Sequence, residues 1–315
     1  MPYWRFLSAL CLTLAMFCLP SAAAALDGVT VVLSEESGAY AQVAEKLRAA
    51  LSQGGGTARL PVKVVALKEV DSLRADPGQL LVAVGTGAME ALAQKNLPQP
   101  VLSVLVPRAA FEKTARQSGR LGDPRNFSAI YLDQPWARQF ALIHHALPGR
   151  TKVGILLPAN SIELATTLSA AAKAAGLVAI IERVDGDADP LPELKHLLGE
   201  SDVLLAVPDP LIYNRNTIQS ILLTTYHHQV PLLGFSPSYV KAGAIAAVFS
   251  VPEQIGQQAA EIIQHLAADR RLPLPQPPRY FSVGVNTQVA RSLGISLDDE
   301  ASLNNKLKRT SEVEP

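Results

Sequence analysis

The chain is poor in the residues that support covalent or redox chemistry. Its 315 residues include only two cysteines, Cys11 and Cys18, and both lie in the first 25 positions, a segment that reads as a removable leader. Once that segment is gone, neither a disulfide nor a thiol nucleophile remains. Charge of either sign is not in excess: 28 Lys plus Arg face 28 Asp plus Glu. That balance argues against the basic surface of a nucleic-acid binder, and no block of like charges suggests a membrane-surface patch. Aromatics make up only 5% of the sequence. No apolar run reaches the roughly 18 residues a membrane-spanning helix needs.

Catalytic signatures are absent as well. There is no GxSxG nucleophile elbow and no HExxH metal helix. The pairs His144–His145 and His227–His228 are adjacent in sequence, late on expected helices. Neighbours on a helix diverge by about 100°, so such a pair does not readily chelate one ion; helix-end histidines that compensate the dipole are the simpler reading. The expectation is a binding protein that is not an enzyme and carries no metal or cofactor.

What is present begins with Arg5, the apolar run FLSALCLTLAMFCL, Pro20 and the small residues SAAAA. This is the layout of a cleavable secretory signal over residues 1–25. Export without disulfides suits a bacterial periplasmic protein whose core needs no covalent staple. Beyond it, short apolar runs alternate with amphipathic segments, the pattern of parallel sheets connected by helices. Strands are expected at GVTVVL, VKVVAL, QLLVAVG, PVLSVLV, FSAIYL, VGILL, LVAII, VLLAV, PLLGF, AIAAVFS and YFSVGV. Gly54, Gly55 and Gly56 would stop the first helix. Asn160 with Glu163, and Ser250 with Glu253, read as capping boxes. SPSYVKAG reads as a turn, PLPQPP as a stiff connector, and 298–315 as a polar tail. The organisation expected is lobe 1 over 26–133 with a returning helix at 252–270, and lobe 2 over 134–251 with 271–297.

In such sheets ligands bind beyond the carboxyl ends of the strands. That places Ser34, Ser37 and Gly38 after the first strand, Gly85, Thr86 and Gly87 after the third, and Asn160 and Ser161 after the sixth near a cleft. From the stretch 202–266 come Asp209, Tyr213, Asn214, Ser236 and Tyr239. GTGAME does not complete a dinucleotide fingerprint, because Glu90 occupies the third glycine's place. Helix amino termini at the first-lobe loops offer N–H groups suited to a ligand carboxylate. Asp209 is either an ordinary turn acid or the partner of a ligand ammonium or hydroxyl. Tyr213 either staples a helix against Ile218 or, like Tyr239, stacks on a flat ligand.

The stretch DPLIYNRNTIQSILLTTYHHQVPLLGFSPSYVKAGAIAAVFS, the helix PEQIGQQAAEII and the closing VGVNTQVARSLGISL resemble the ABC-transporter substrate-binding family. Within that family the chain resembles the tryptophan- and tyrosine-uptake type. The resemblance implies α/β architecture of the type I periplasmic binding protein kind: two Rossmann-like lobes with parallel sheets closing on a ligand at a hinge. It further implies a monomer that binds a small organic molecule and serves an ABC permease in the inner membrane. One departure stands out. VPRAAFEK (106–113) replaces the family's Thr-Asp-Pro phrase after the fourth strand, which leaves room for an alternative in which the protein senses a ligand or acts as a scaffold with a membrane partner.

Overall fold

The computed structural model describes residues 26–52, 60–95, 97–185, 189–266 and 271–313. The expected leader and the Gly54–Gly56 helix stop lie outside them. The first lobe is a five-stranded sheet formed by β1 (Gly28–Leu33), β2 (Val62–Ala66), β3 (Gln79–Val84), β4 (Val101–Val106) and β5 (Phe127–Tyr131), in the order β2-β1-β3-β4-β5. All its pairings are parallel. Every residue of β1 is buried, because helices cover both faces of a parallel sheet and its strands must therefore be apolar on both sides.

One face is covered by α1 (Gly38–Ser52). The other carries α2 (Thr86–Gln94), α3 (Arg108–Gln117) and the 3-10 turn Leu67–Ser72. The second lobe holds β6 (Lys152–Pro158), β7 (Val178–Val184), β8 (Val203–Leu205), β9 (Leu232–Gly234), β10 (Ala246–Phe249) and β11 (Ser282–Val285). Their order is β11-β10-β9-β8-β6-β7, and only β11 runs antiparallel to its neighbour. Around this sheet lie α4 (Trp136–Ala146), α5 (Leu164–Ala174), α6 (Leu191–Glu200), α7 (Ile218–His227) and the short α8 (Pro237–Ala242).

The chain then returns. Helix α9 (Pro252–Gln264) buries Ile255, Ala259, Ala260 and Ile263 against Val43 and Leu47 of α1 and the first sheet. The approach is close: a Cβ built on Gly256 would stand 2.9 Å from the Val43 carbonyl oxygen. The proline-rich connector does not merely span the lobes. Gln276 forms a parallel bridge with Ile130, its N–H donates to the Ala129 carbonyl, and its carbonyl accepts from Tyr131, so the segment covers the open edge of β5. Helix α10 (Thr287–Ser292) follows β11.

Several local expectations are revised. The region read as a polar tail forms helix α11 (Glu300–Val313), and Leu303 and Leu307, one turn apart, are fully buried in the second-lobe core with Phe140 and Ile143 of α4. Two leucines among many polar residues suffice to dock a helix by one stripe. SPSYVKAG makes α8, capped by Ser236. Asn160 does not cap α5; it lies in the 3-10 turn Ala159–Ser161, and the helix starts later, at Leu164. Ser250 does not cap α9 either. There Gln254 Oε1 accepts from the Val251 N–H at 3.0 Å, leaving Ser250 free to bind elsewhere.

Candidate functional site

Three crossovers connect the lobes: β5 to α4, β10 to α9, and the connector to β11. Two leave the carboxyl ends of parallel strands, and the third enters the amino end of antiparallel β11. Both sheets therefore turn their carboxyl ends toward the space between the lobes, where loops of this architecture carry ligand contacts.

On the first-lobe side, Ser34 follows β1 directly, and its Oγ accepts the N–H of Ala88 in the first turn of α2 at 2.9 Å. Gly85 precedes α2 at φ 90°, ψ 165°, a region open essentially to glycine alone. A Cβ there would meet Tyr40 Cε1 at 2.4 Å and Ser34 Oγ at 2.7 Å. One at Gly87 would lie 3.4 Å from the same Oγ. Ser34, Tyr40, Gly85, Thr86 and Gly87 thus form one surface. The amides of Thr86 and Gly87 have no partner among the described residues, so the positive end of α2 remains available. Ser37 and Gly38 sit beside this knot, exposed at the start of α1, and Gly38 has open space around its missing Cβ.

Two further features of this wall escape the sequence patterns. Strand β4 ends in a bulge with Leu105 in the left-handed region at φ 53°; strain of this kind re-aims the chain that follows. Beyond it, the N–H of Arg108 donates to Asp133 Oδ2 at 2.7 Å. Burial holds the Asp133 carboxyl above the usual carboxylate range, although that hydrogen bond and the Arg108 guanidinium oppose the shift.

On the second-lobe side, Ser161 Oγ lies 3.3 Å from Asp209 Oδ2 and 3.4 Å from Asn160 Oδ1. Asp209 Oδ1 accepts the N–H of Leu211 at 2.9 Å, and its carbonyl accepts that of Tyr213. Asp209 is thus a turn acid with one oxygen turned to a polar neighbour. Asn214 organises the entry to α7, its Oδ1 accepting from Asn216 and Thr217 and its Nδ2 donating to Pro210.

Tyr213 does not staple the helix through Ile218. Its ring is buried edge-on to Phe235 and Tyr239, with centroids 6.4 and 6.5 Å away, and its hydroxyl is buried without a partner, which drives its pKa strongly upward. The Phe235 and Tyr239 rings lie closer, with centroids 4.3 Å apart and planes tilted by 41°. Tyr239 is half-buried and its pKa is pushed up to about 12 by burial. Ser236, between them, accepts the N–H of Tyr239. Residue type could have flagged Phe235, an aromatic one position beyond a strand. Nothing in the pattern marked Asp133 or Tyr40.

The crossovers are tied to one another where the lobes join. Gln134 Nε2 donates to Ser250 Oγ at 2.8 Å, and Ser250 donates in turn to the Tyr280 carbonyl. Arg138 Nη1 donates to Gln134 Oε1 at 2.7 Å and to the Pro278 carbonyl at 3.0 Å, while its guanidinium lies 4.1 Å over the Phe281 ring. All three crossovers take part in this ring of hydrogen bonds. Burial lowers the Arg138 pKa to about 10.

Comparison with known proteins agrees with this architecture. A conserved domain protein from Vibrio cholerae is 18% identical over 89% of this chain and 98% of its own, with a TM-score of 0.58. The ABC domain in complex with L-Trp from Streptococcus pneumonia is 16% identical over 88% and 98%, at 0.57. A ligand-free, open substrate-binding protein with adhesive properties from Clostridium difficile is 14% identical over 87% and 96%, at 0.64. At these identities the likeness establishes the fold, that of type I periplasmic binding proteins. No curated protein sequence matches the chain. The family model described as ABC transporter substrate binding protein matches residues 63–306, most of both lobes, and the chain belongs to that family.

Proposed function

We propose that the protein captures a small organic ligand, an amino acid or related metabolite, between its lobes and delivers it to an ABC permease of the inner membrane. In this reading it works in the periplasm as a monomer, after loss of residues 1–25, and without catalysis or cofactor. What supports it is the pair of amides at Thr86 and Gly87, which have no partner among the described residues and sit on a glycine-permitted turn; in this reading Asp209, Phe235 and Tyr239 form the facing wall. Free amides at a helix amino terminus suit a carboxylate. Asp209, with Ser161, suits an ammonium or hydroxyl, and the Tyr239 ring, packed at a tilt against Phe235, offers an apolar face. Contacts from both walls form together only when the lobes approach, so ligand favours the closed arrangement.

The remaining expected residues take supporting places in this proposal. Ser34 and Gly85 shape the first wall, Asn160, Asn214 and Ser236 hold the loops of the second, and Ser37 and Gly38 lie at the rim. Mass spectrometry of small molecules released from natively purified protein tests the reading, with thermal shift against amino acids, nucleosides and sugars as its complement. An amino acid or close relative released in stoichiometric amount, and raising Tm when returned, is the expected result. No released compound and no shift across the whole set would overturn it.

A further inference from the structure

The first-lobe wall holds a tyrosine whose ring is explained by packing and whose hydroxyl is not. Tyr40 stands in the first turn of α1, and its ring packs against the cluster that includes Leu33 and Val84. Those two residues end β1 and β3 and pair with each other across the sheet. The ring continues onto the turn after β3, where a Cβ on Gly85 would overlap Tyr40 Cε1 and crowd Ser34 Oγ. The missing side chain of Gly85 is what lets the ring come so near the backbone. Because the hydroxyl is two bonds from Cε1, it lies beside the turn that carries the Thr86 and Gly87 amides.

Phenylalanine would supply the same apolar contact. The Tyr40 hydroxyl has no hydrogen-bond partner among the described residues. It is also open to solvent: Tyr40 is only half-buried, and its oxygen is not one of the sealed polar atoms, as that of Tyr213 is. Its neighbours at the turn are donors too. Ser34 Oγ accepts the Ala88 N–H at 2.9 Å, which leaves its own hydrogen to give, and the amides of Thr86 and Gly87 have no partner among the described residues. Hydrogen-bond donors of four residues thus border one turn, and none of those residues is charged.

We infer that Tyr40 is a specificity-determining residue of the inter-lobe site, its hydroxyl donating to an ionised ligand carboxylate and so selecting the acid over its amide. This role rests on the proposed capture of an amino acid or related metabolite between the lobes. A carboxylate presents about four acceptor sites and no hydrogen, which matches a set of donors. A carboxamide instead turns an NH₂ group toward backbone N–H groups that cannot reverse. The hydrogen bond to an ionised acceptor is roughly twice as strong as a neutral one, so its loss falls on the acid and spares the amide.

Tyr40→Phe tests it, because the variant keeps the ring against Gly85 and removes one oxygen. The probes are the proteinogenic L-amino acids and, for the tightest of them, its carboxamide, titrated by calorimetry into the intact secreted protein. The parent should prefer the acid, and Tyr40→Phe should bind the acid about tenfold more weakly and the amide within about twofold of the parent. Without ligand the two proteins should share one Tm, since the hydroxyl has no partner to lose. An unchanged affinity for the acid, an equal loss for acid and amide, or a clear fall in the ligand-free Tm overturns the inference and leaves the inter-lobe reading in place. A parent that binds none of the amino acids overturns it as well, and the compounds released from natively purified protein then judge the inter-lobe reading separately.

Discussion

Gly85→Ala tests whether the turn between β3 and α2 is built around a missing side chain. The substitution meets two separate penalties. At φ 90°, ψ 165° an alanine is held in a backbone region that costs about 1–3 kcal/mol. Its Cβ would also stand 2.4 Å from Tyr40 Cε1 and 2.7 Å from Ser34 Oγ, and overpacking of this kind costs about 1–3 kcal/mol more. The Tyr40 ring can swing aside and recover part of that, so a net loss of about 2–5 kcal/mol is expected. For a chain of this size that is a fall of roughly 5–15 °C in Tm.

Gly38→Ala is the matched control. Its φ is also positive, at 61°, but nothing lies within 4 Å of its Cβ, so only the backbone term of about 1–2 kcal/mol applies. Urea unfolding of the two variants side by side, with unchanged m-values to show that the same surface is exposed, separates the terms. If Gly85→Ala loses no more stability than Gly38→Ala, the contact with Tyr40 and Ser34 does not constrain this turn. A first-lobe turn shaped by the missing side chain of Gly85 is then ruled out.

Three other outcomes follow from the same geometry. Leu307→Ala, which empties a fully buried place under α11, should cost about 2–5 kcal/mol in chemical denaturation, and a loss below 1 kcal/mol would mean that α11 is not docked in solution. Because burial raises the Asp133 carboxyl, the native state holds its proton more tightly than the unfolded chain. Its contribution to stability is complete below the ordinary value of 3.8 and is lost as pH rises through the native value; Asp133→Asn should flatten that part of the stability curve, and an unchanged curve would assign the dependence elsewhere. Tyr239, raised to about 12, contributes stability that is present below the ordinary phenol value of 10 and lost as pH rises past its own. Absorbance titration of the parent against Tyr239→Phe should show this phenol ionising late, and ionisation near 10 would contradict the burial described.

The layered α/β plan was legible because parallel strands buried on both faces leave short uninterrupted apolar runs, as in GVTVVL and QLLVAV, bounded by turn residues and alternating with amphipathic segments. What could not be read depended on partners distant in sequence. Ser250 and Glu253 have capping-box spacing, yet Ser250 is taken by Gln134 and Tyr280. Helix α11 carries two apolar anchors in a polar stretch, and its docking depends on the exposed face of α4, which no local pattern displays. The left-handed Leu105 has no sequence signal at all, since leucine there is against its own preference and persists through the surrounding sheet.

The candidate site was legible to a different degree on its two sides, for a physical reason. Loop positions after strands can be listed from the strand pattern alone, and Ser34, Gly85 and Gly87 do converge. Which side chain faces outward is decided by turns a few residues long. Asn214 spends its amide on Pro210, Asn216 and Thr217, and Tyr213 turns inward beneath Phe235 and Tyr239. Hydrogen bonds from Gln134, Arg138 and Ser250 to carbonyls and hydroxyls tie the three crossovers together, beside the packing of Arg138 over Phe281. Directional bonds of that sort tolerate small angular changes while keeping the crossovers in register. The side chains at the carboxyl ends of both sheets are set by short turns, where sequence alone is least informative.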